Sequence, residues 1–167
     1  NVKDLTCLQN RDSVMRILDP LFDFRRCHND YRPILLKISP DLTDAPIDEI
    51  VDIMIDTPLE GMVATNTTTS REGLQTAPEA LEKIGNGGLS GSPLFERSLE
   101  VIRRVHTRSE GRYPIIGVGG IMSPDDAARM IEAGASLVQV YTGFIYNGPA
   151  FARKICKRIK TYTKINS

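Results

Sequence analysis

The chain has 167 residues, and its 21 Lys plus Arg balance 21 Asp plus Glu for a formal net charge of zero. That balance offers no broad cationic field for nucleic acid or an anionic membrane. A hydrophobic share of 41% beside a charged share of 25% excludes wholesale disorder. It fits one domain with a real core, or a large piece of a bigger one.

Asn1 opens the sequence where Met is expected, so the chain reads as one that begins inside a longer gene product or has lost its start. Cys7, Cys27 and Cys156 are far apart and form no CxxC pair, which reads as reduced thiols of a cytosolic-type compartment. His28 and His106 complete no zinc site with them at any usual spacing. No apolar run approaches the roughly 20 residues that span a bilayer, and no signal peptide is visible.

The first periodic segment, residues 12–24, carries Val14, Ile17, Leu18 and Leu21 at helical spacing. Four short apolar, β-branched runs follow: ILLKI at 34–38, MVAT at 62–65, IIGV at 115–118 and LVQVY at 137–141. Each is near-continuously apolar, the pattern of parallel strands covered on both faces. Helical patterns separate them at 46–54 and 98–105, with a possible short helix at Pro78–Ile84. Ser123-Pro124-Asp125-Asp126 reads as an N-cap, a first-turn Pro and two dipole-matched acids, opening a helix that Gly134 stops. A last helix covers 151–159. One helix followed by four strand–helix units predicts a mostly parallel α/β sheet with right-handed crossovers. A complete (β/α)8 barrel takes roughly 250 residues, so an open doubly wound sheet fits the length better and the strand ends must decide.

Ligands bind at the carboxyl ends of strands in both architectures. Lys37 interrupts the first apolar run; it either faces an anionic partner or reaches water from an edge strand. The second run leads into Thr65-Asn66-Thr67-Thr68-Thr69-Ser70, dense in donors and acceptors for a planar amide-like ligand, or a turn segment. Gly87-Gly88-Leu89-Ser90-Gly91 lets backbone approach a ligand, or is a flexible loop. The third run ends in Gly117-Val118-Gly119-Gly120-Ile121, whose backbone N–H groups suit a phosphate. It is not GxGxxG, and the helix starts too late for a Rossmann site. Tyr141-Thr142-Gly143 ends the fourth run and offers a hydroxyl and further N–H groups to the same phosphate, if these are the last two strands of eight.

Five of these motifs together resemble the dihydroorotate dehydrogenases. Residues 36–42 (LKISPDL) are similar to that family's VKIAPDL segment, and 65–68 to its TNTT. Residues 87–94 resemble GGLSGxPL, and 114–121 resemble PIIGVGGI. Residues 133–142 (AGASLVQVYT) with Tyr146-Asn147-Gly148-Pro149 resemble the tail of the class 2, quinone-dependent branch. Val140 stands where Leu is common.

The resemblance implies the C-terminal half of a (β/α)8 barrel that binds FMN, residues 1–167 forming one partial domain with the N-terminal half and the membrane-associating module absent. It implies oxidation of dihydroorotate to orotate in pyrimidine biosynthesis with quinone as acceptor, the intact protein being membrane-associated and this piece soluble. Lys37 would reach the flavin pyrimidine edge, where a cation stabilises negative charge, and Thr65, Ser90 and Gly91 would line the flavin. Gly119, Gly120, Tyr141 and Thr142 would hold its phosphate. Asn66 and Thr67 would hydrogen-bond the dihydroorotate ring. No nucleic-acid partner and no metal are expected. The family's class 2 serine base precedes a Pro-Asn pair whose Asn resembles Asn1, so no catalytic base is expected in this chain and the chain alone is expected to be inactive, general-base loss being worth about 10²–10⁴-fold. Two alternatives stay open: another FMN- or phosphate-binding barrel enzyme, or a non-catalytic half-barrel that self-associates through its open edges.

Overall fold

A computed structural model describes residues 11–28 and 31–166, with side chains described to residue 162. The expectations resting on Asn1 and Cys7 lie outside the described residues. Helix α1 spans Arg11–His28, and strand β1 (Leu35–Ile38) follows. Then come α2 (Asp44–Asp56), β2 (Gly61–Ala64), α3 (Pro78–Ile84), a 3₁₀ turn at Ser92–Leu94 and α4 (Phe95–Arg108). The remainder is β3 (Ile115–Val118), α5 (Pro124–Glu132), β4 (Leu137–Gln139), α6 (Thr142–Asn147) and α7 (Phe151–Asn166).

The four strands pair in parallel in the order β1-β2-β3-β4. An open doubly wound sheet reverses its strand order at a switch point, where its ligand binds. This sheet has no reversal, so every crossover adds the next strand at the same side, as in the wall of a barrel. The topology therefore answers the question that chain length left open.

Register sorts the strand residues onto two faces. Ile38, Met62, Ala64 and Ile115 point to the helices and are fully buried. Lys37, Val63, Ile116, Val118 and Gln139 share the opposite face. Leu137 joins them and is 62% exposed. The strands are thus covered on one face among the described residues, where the sequence predicts cover on both. The inner face of a barrel is packed by other barrel strands, so it is apolar in sequence even where only an arc of wall is present.

The covered face carries the core. Helix α4 contributes Leu99, Ile102 and Val105, and α2 contributes Ile47, Ile50, Val51 and Met54. The two helices are also laced by charge. Arg104 donates to Asp44 at 2.8 Å and to Asp48 at 2.6 and 2.8 Å, and Arg108 forks onto Asp52 at 2.7 Å. Asp44, Asp48 and Asp52 recur at helical spacing, as do Arg104 and Arg108, so the two charged stripes meet in register. Helix α5 starts as its sequence predicts: Ser123 Oγ accepts from the Asp126 N–H at 3.1 Å, and the Asp126 carboxylate accepts from the Ser123 N–H at 2.8 Å. Helix α1 buries Val14 and Leu18 but leaves Ile17 and Leu21 about half exposed, so its predicted apolar face is only partly used. Cys27 and Cys156 are exposed free thiols. No helix of the described residues is long and apolar enough to cross a membrane.

Candidate active site

The carboxyl ends of all four strands open into one cleft of about 260 Å³. It is lined by Lys37 from β1 and by Thr65, Asn66 and Thr67 just beyond β2. Ser90 and Gly91 precede the 3₁₀ turn, Gly119 and Gly120 follow β3, and Tyr141 and Thr142 follow β4. Every site residue that the sequence singles out is therefore brought together.

Backbone bonds hold the floor. The Thr65 N–H donates to Val118 O at 2.7 Å, and the Asn66 N–H donates to Ile38 O at 2.8 Å. The chain leaving β2 is thus tied to both neighbouring strands beyond the end of the regular ladder. Thr65 is buried, and its hydroxyl donates to Asn66 O at 3.0 Å while lying 2.8 Å from Ser98 Oγ. With that proton committed, Ser98 is the donor to Thr65. The Thr65 hydroxyl therefore serves the floor rather than the cleft. Ser90 Oγ and Thr142 Oγ1 lie 2.9 Å apart and link the loop before α4 to the tip of β4.

Lys37 stands exposed on the open face of β1, an edge of the described sheet. Its ammonium thus reaches solvent, as an edge strand permits, and lines the cleft as well. At the Gly119-Gly120 corner two requirements meet. Gly120 has φ +73°, and a Cβ there would lie 2.5 Å from the Phe95 backbone N and 2.6 Å from its Cα. A Cβ on Gly119 would run into Ser98 Oγ. The glycines let the start of α4 close against the β3 tip. Outside the helices and strands, no hydrogen bond among the described residues engages the N–H of Gly119 or Gly120. Such amides need an acceptor from water or a ligand.

A carboxylate outside the cleft braces it. Asp41 accepts from Thr68 Oγ1, from the Thr69 N–H at 2.8 Å and from Thr69 Oγ1 at 2.7 Å. Burial pushes its carboxyl up, but the hydrogen bonds from Thr68 and Thr69, helped by the Arg97 charge, outweigh it and hold the group below the usual carboxylate range. Thr68 also exchanges both backbone bonds with Leu89, N–H to O at 3.1 Å and O from N–H at 2.7 Å.

Some of this was missed from sequence. Gln139 lines the cleft beside Val140, and it carries the same sequence signal as Lys37: a polar side chain inside an apolar strand. Ser98 carried no signal, because a serine on a helix is ordinary. Helix α6 begins at Thr142, where the sequence pattern places no helix.

The family model for dihydroorotate dehydrogenase matches residues 1–162. The chain belongs to the dihydroorotate dehydrogenase family. It is 47% identical over 159 residues to a dihydroorotate dehydrogenase (quinone) of Christiangramia forsetii, covering 95% of this chain and 46% of that protein. To the protein of the same name from Nocardia farcinica it is 53% identical over 155 residues, covering 92% and 41%. The fold is similar to a DHODH crystal structure from Eimeria tenella in complex with ferulenol, with TM-score 0.84, 33% identity, and coverage of 100% of this chain and 48% of that one. The ligand-free form from the same organism gives TM-score 0.82. The chain thus spans just under half the length of these relatives, and its sheet is part of a (β/α)8 barrel.

Proposed function

We propose that this chain is the C-terminal part of a class 2 dihydroorotate dehydrogenase, an FMN enzyme of pyrimidine biosynthesis that oxidises dihydroorotate to orotate and passes the electrons to a quinone at a membrane. The observation that carries the proposal is the convergence of Lys37, Asn66, Thr67 and the Gly119-Gly120/Tyr141-Thr142 corner on one cleft.

The donor set fits FMN. Amides of Gly119 and Gly120 with no acceptor outside regular structure, beside the Thr142 hydroxyl and Tyr141, suit a phosphate dianion. Lys37 lines the same cleft and would offer its cation to the pyrimidine edge of the ring system, where it would stabilise negative charge. FMN, when bound, supplies the hydride-accepting chemistry. The chain's own residues bind and orient. The Asn66 carboxamide can both donate to and accept from the ring amides of dihydroorotate, and the Thr67 hydroxyl adds a further donor and acceptor. Asn66 is held by its own N–H on Ile38 O, so its side chain starts from a fixed backbone.

Activity in this reading belongs to the closed barrel. One face of the sheet is open in the present chain, and an open face admits water to the cleft. The 167-residue chain alone is therefore inactive, and its exposed inner face drives self-association. The test uses the full-length protein. Asn66→Ala is expected to retain FMN and to weaken orotate binding by about 10²-fold, the loss of two hydrogen bonds to the ring at about 1–1.5 kcal/mol each. Unchanged orotate affinity would instead favour another FMN- or phosphate-binding barrel enzyme. Turnover of dihydroorotate by the purified 167-residue chain would contradict the requirement for closure.

A further inference from the structure

We propose that Asp41 is a positioning residue, whose carboxylate ties the loop after β1 to the loop after β2 and so fixes where Asn66 and Thr67 stand in the cleft. This rests on the substrate reading given above.

Asp41 is itself aimed. Arg97 on α4 donates to Pro40 O at 2.9 Å and to Leu42 O at 2.6 Å, gripping the carbonyls on either side of it. The Asp41 N–H donates to Ser39 Oγ at 3.2 Å. From this seat the carboxylate takes three donors on Thr68 and Thr69, one of them a backbone N–H. The segment between is short. Asn66 is pinned upstream by its N–H on Ile38 O, and Thr68 downstream by Asp41 and Leu89. Thr67 therefore sits between two anchors, of which Asp41 supplies the side-chain half. The Thr68–Leu89 exchange passes the same restraint to Ser90, one residue on, which meets Thr142 across the cleft. An ionised acceptor makes hydrogen bonds about twice as strong as a neutral one, so the carboxylate is the stiff member of this linkage.

Gly119 and Gly120 make none of these contacts, and the phosphate corner meets the linkage only at its far end, through Ser90 and Thr142, so the effect falls on substrate more than on FMN. In the full-length protein, FMN content is read from flavin absorbance and orotate affinity from the perturbation of that spectrum. Asp41→Ala is expected to keep FMN, to weaken orotate about tenfold, and to raise KM with kcat changed less. Asp41→Asn, whose amide oxygen can still accept from Thr69, is expected to recover most of the affinity. Asp41→Ala with wild-type orotate affinity overturns the inference, as does parallel loss of FMN and orotate in both variants. Should Asp41→Ala not fold, Thr69→Val withdraws one donor. About threefold weaker orotate with full FMN then supports the inference, and wild-type affinity overturns it. A wild-type protein that loads FMN but ignores orotate overturns the substrate reading, and this inference with it.

Discussion

Gly120 and Gly73 form a natural pair for separating two costs. Both have φ +73°, so alanine meets a positive-φ penalty of about 1–2 kcal/mol at either place. The surroundings differ. A Cβ on Gly73 meets nothing within 4 Å, whereas one on Gly120 lies 2.5 Å from the Phe95 N and 2.6 Å from its Cα. Those atoms are backbone at the start of α4, and they cannot turn aside as a side chain would. Overpacking of this kind adds about 1–3 kcal/mol. Gly73→Ala should therefore destabilise by about 1–2 kcal/mol and Gly120→Ala by about 2–5 kcal/mol. The gain from restricting the unfolded chain is common to both variants and drops out of the comparison. The assay is urea denaturation of the full-length protein, with FMN affinity as a second readout that only Gly120→Ala should lower. Equal losses for the two variants would refute the close approach of α4 to the β3 tip.

Three further outcomes follow from the same contacts. Thr65→Val keeps the shape but leaves Ser98 Oγ and Asn66 O without their buried partner, and should lower stability by about 1–3 kcal/mol in the same denaturation assay; a change within error would mean the hydroxyl is not holding the floor. Acid should act through Asp41 and Asp48. Asp48 is held below its ordinary range first by the Arg104 hydrogen bond, against a burial effect that raises it, with the Arg104 and Arg108 charges adding to the lowering. Both groups bind protons more weakly in the folded state, so their contribution is complete above the unfolded carboxylate range near about pH 4 and is lost as pH falls through the folded values. The double variant Asp41→Asn, Asp48→Asn should lose less Tm than wild type between those limits, and an identical acid slope would count against the assignment. Finally, Leu137→Glu on the open sheet face should shift the 167-residue chain toward monomer in sedimentation velocity; an unchanged distribution would place the association elsewhere.

The sequence revealed whatever rests on local pattern. The β-branched runs locate all four strands, and Ser123-Pro124-Asp125-Asp126 marks the N-cap and first turn of α5, to which the structure adds the reciprocal Asp126 bond. The site residues were legible because barrels display them at strand ends, so a reader who finds the strands also finds the tips. Three features escaped for physical reasons. One-sided burial left no trace, since inner and outer faces of a barrel strand are both apolar. Helix α6 has six residues, too few for a period, and Gly143 within it reads as a loop residue. Asp41 stands out in the sequence only as part of the LKISPDL motif, because its partners lie 27 and 28 residues further along the chain and spacing of that kind carries no signal.

The lateral margins of the sheet restrict what is able to sit against it. β1 and β4 each have a strand neighbour on one side only among the described residues. Their outward peptide groups are polar, and apolar side chains cannot satisfy them. A helix laid over the open surface would shield Leu137 and still strand those donors and acceptors. Extended chain laid along β1 and along β4 answers both demands, so a rampart that closes this wall is woven from the same kind of thread.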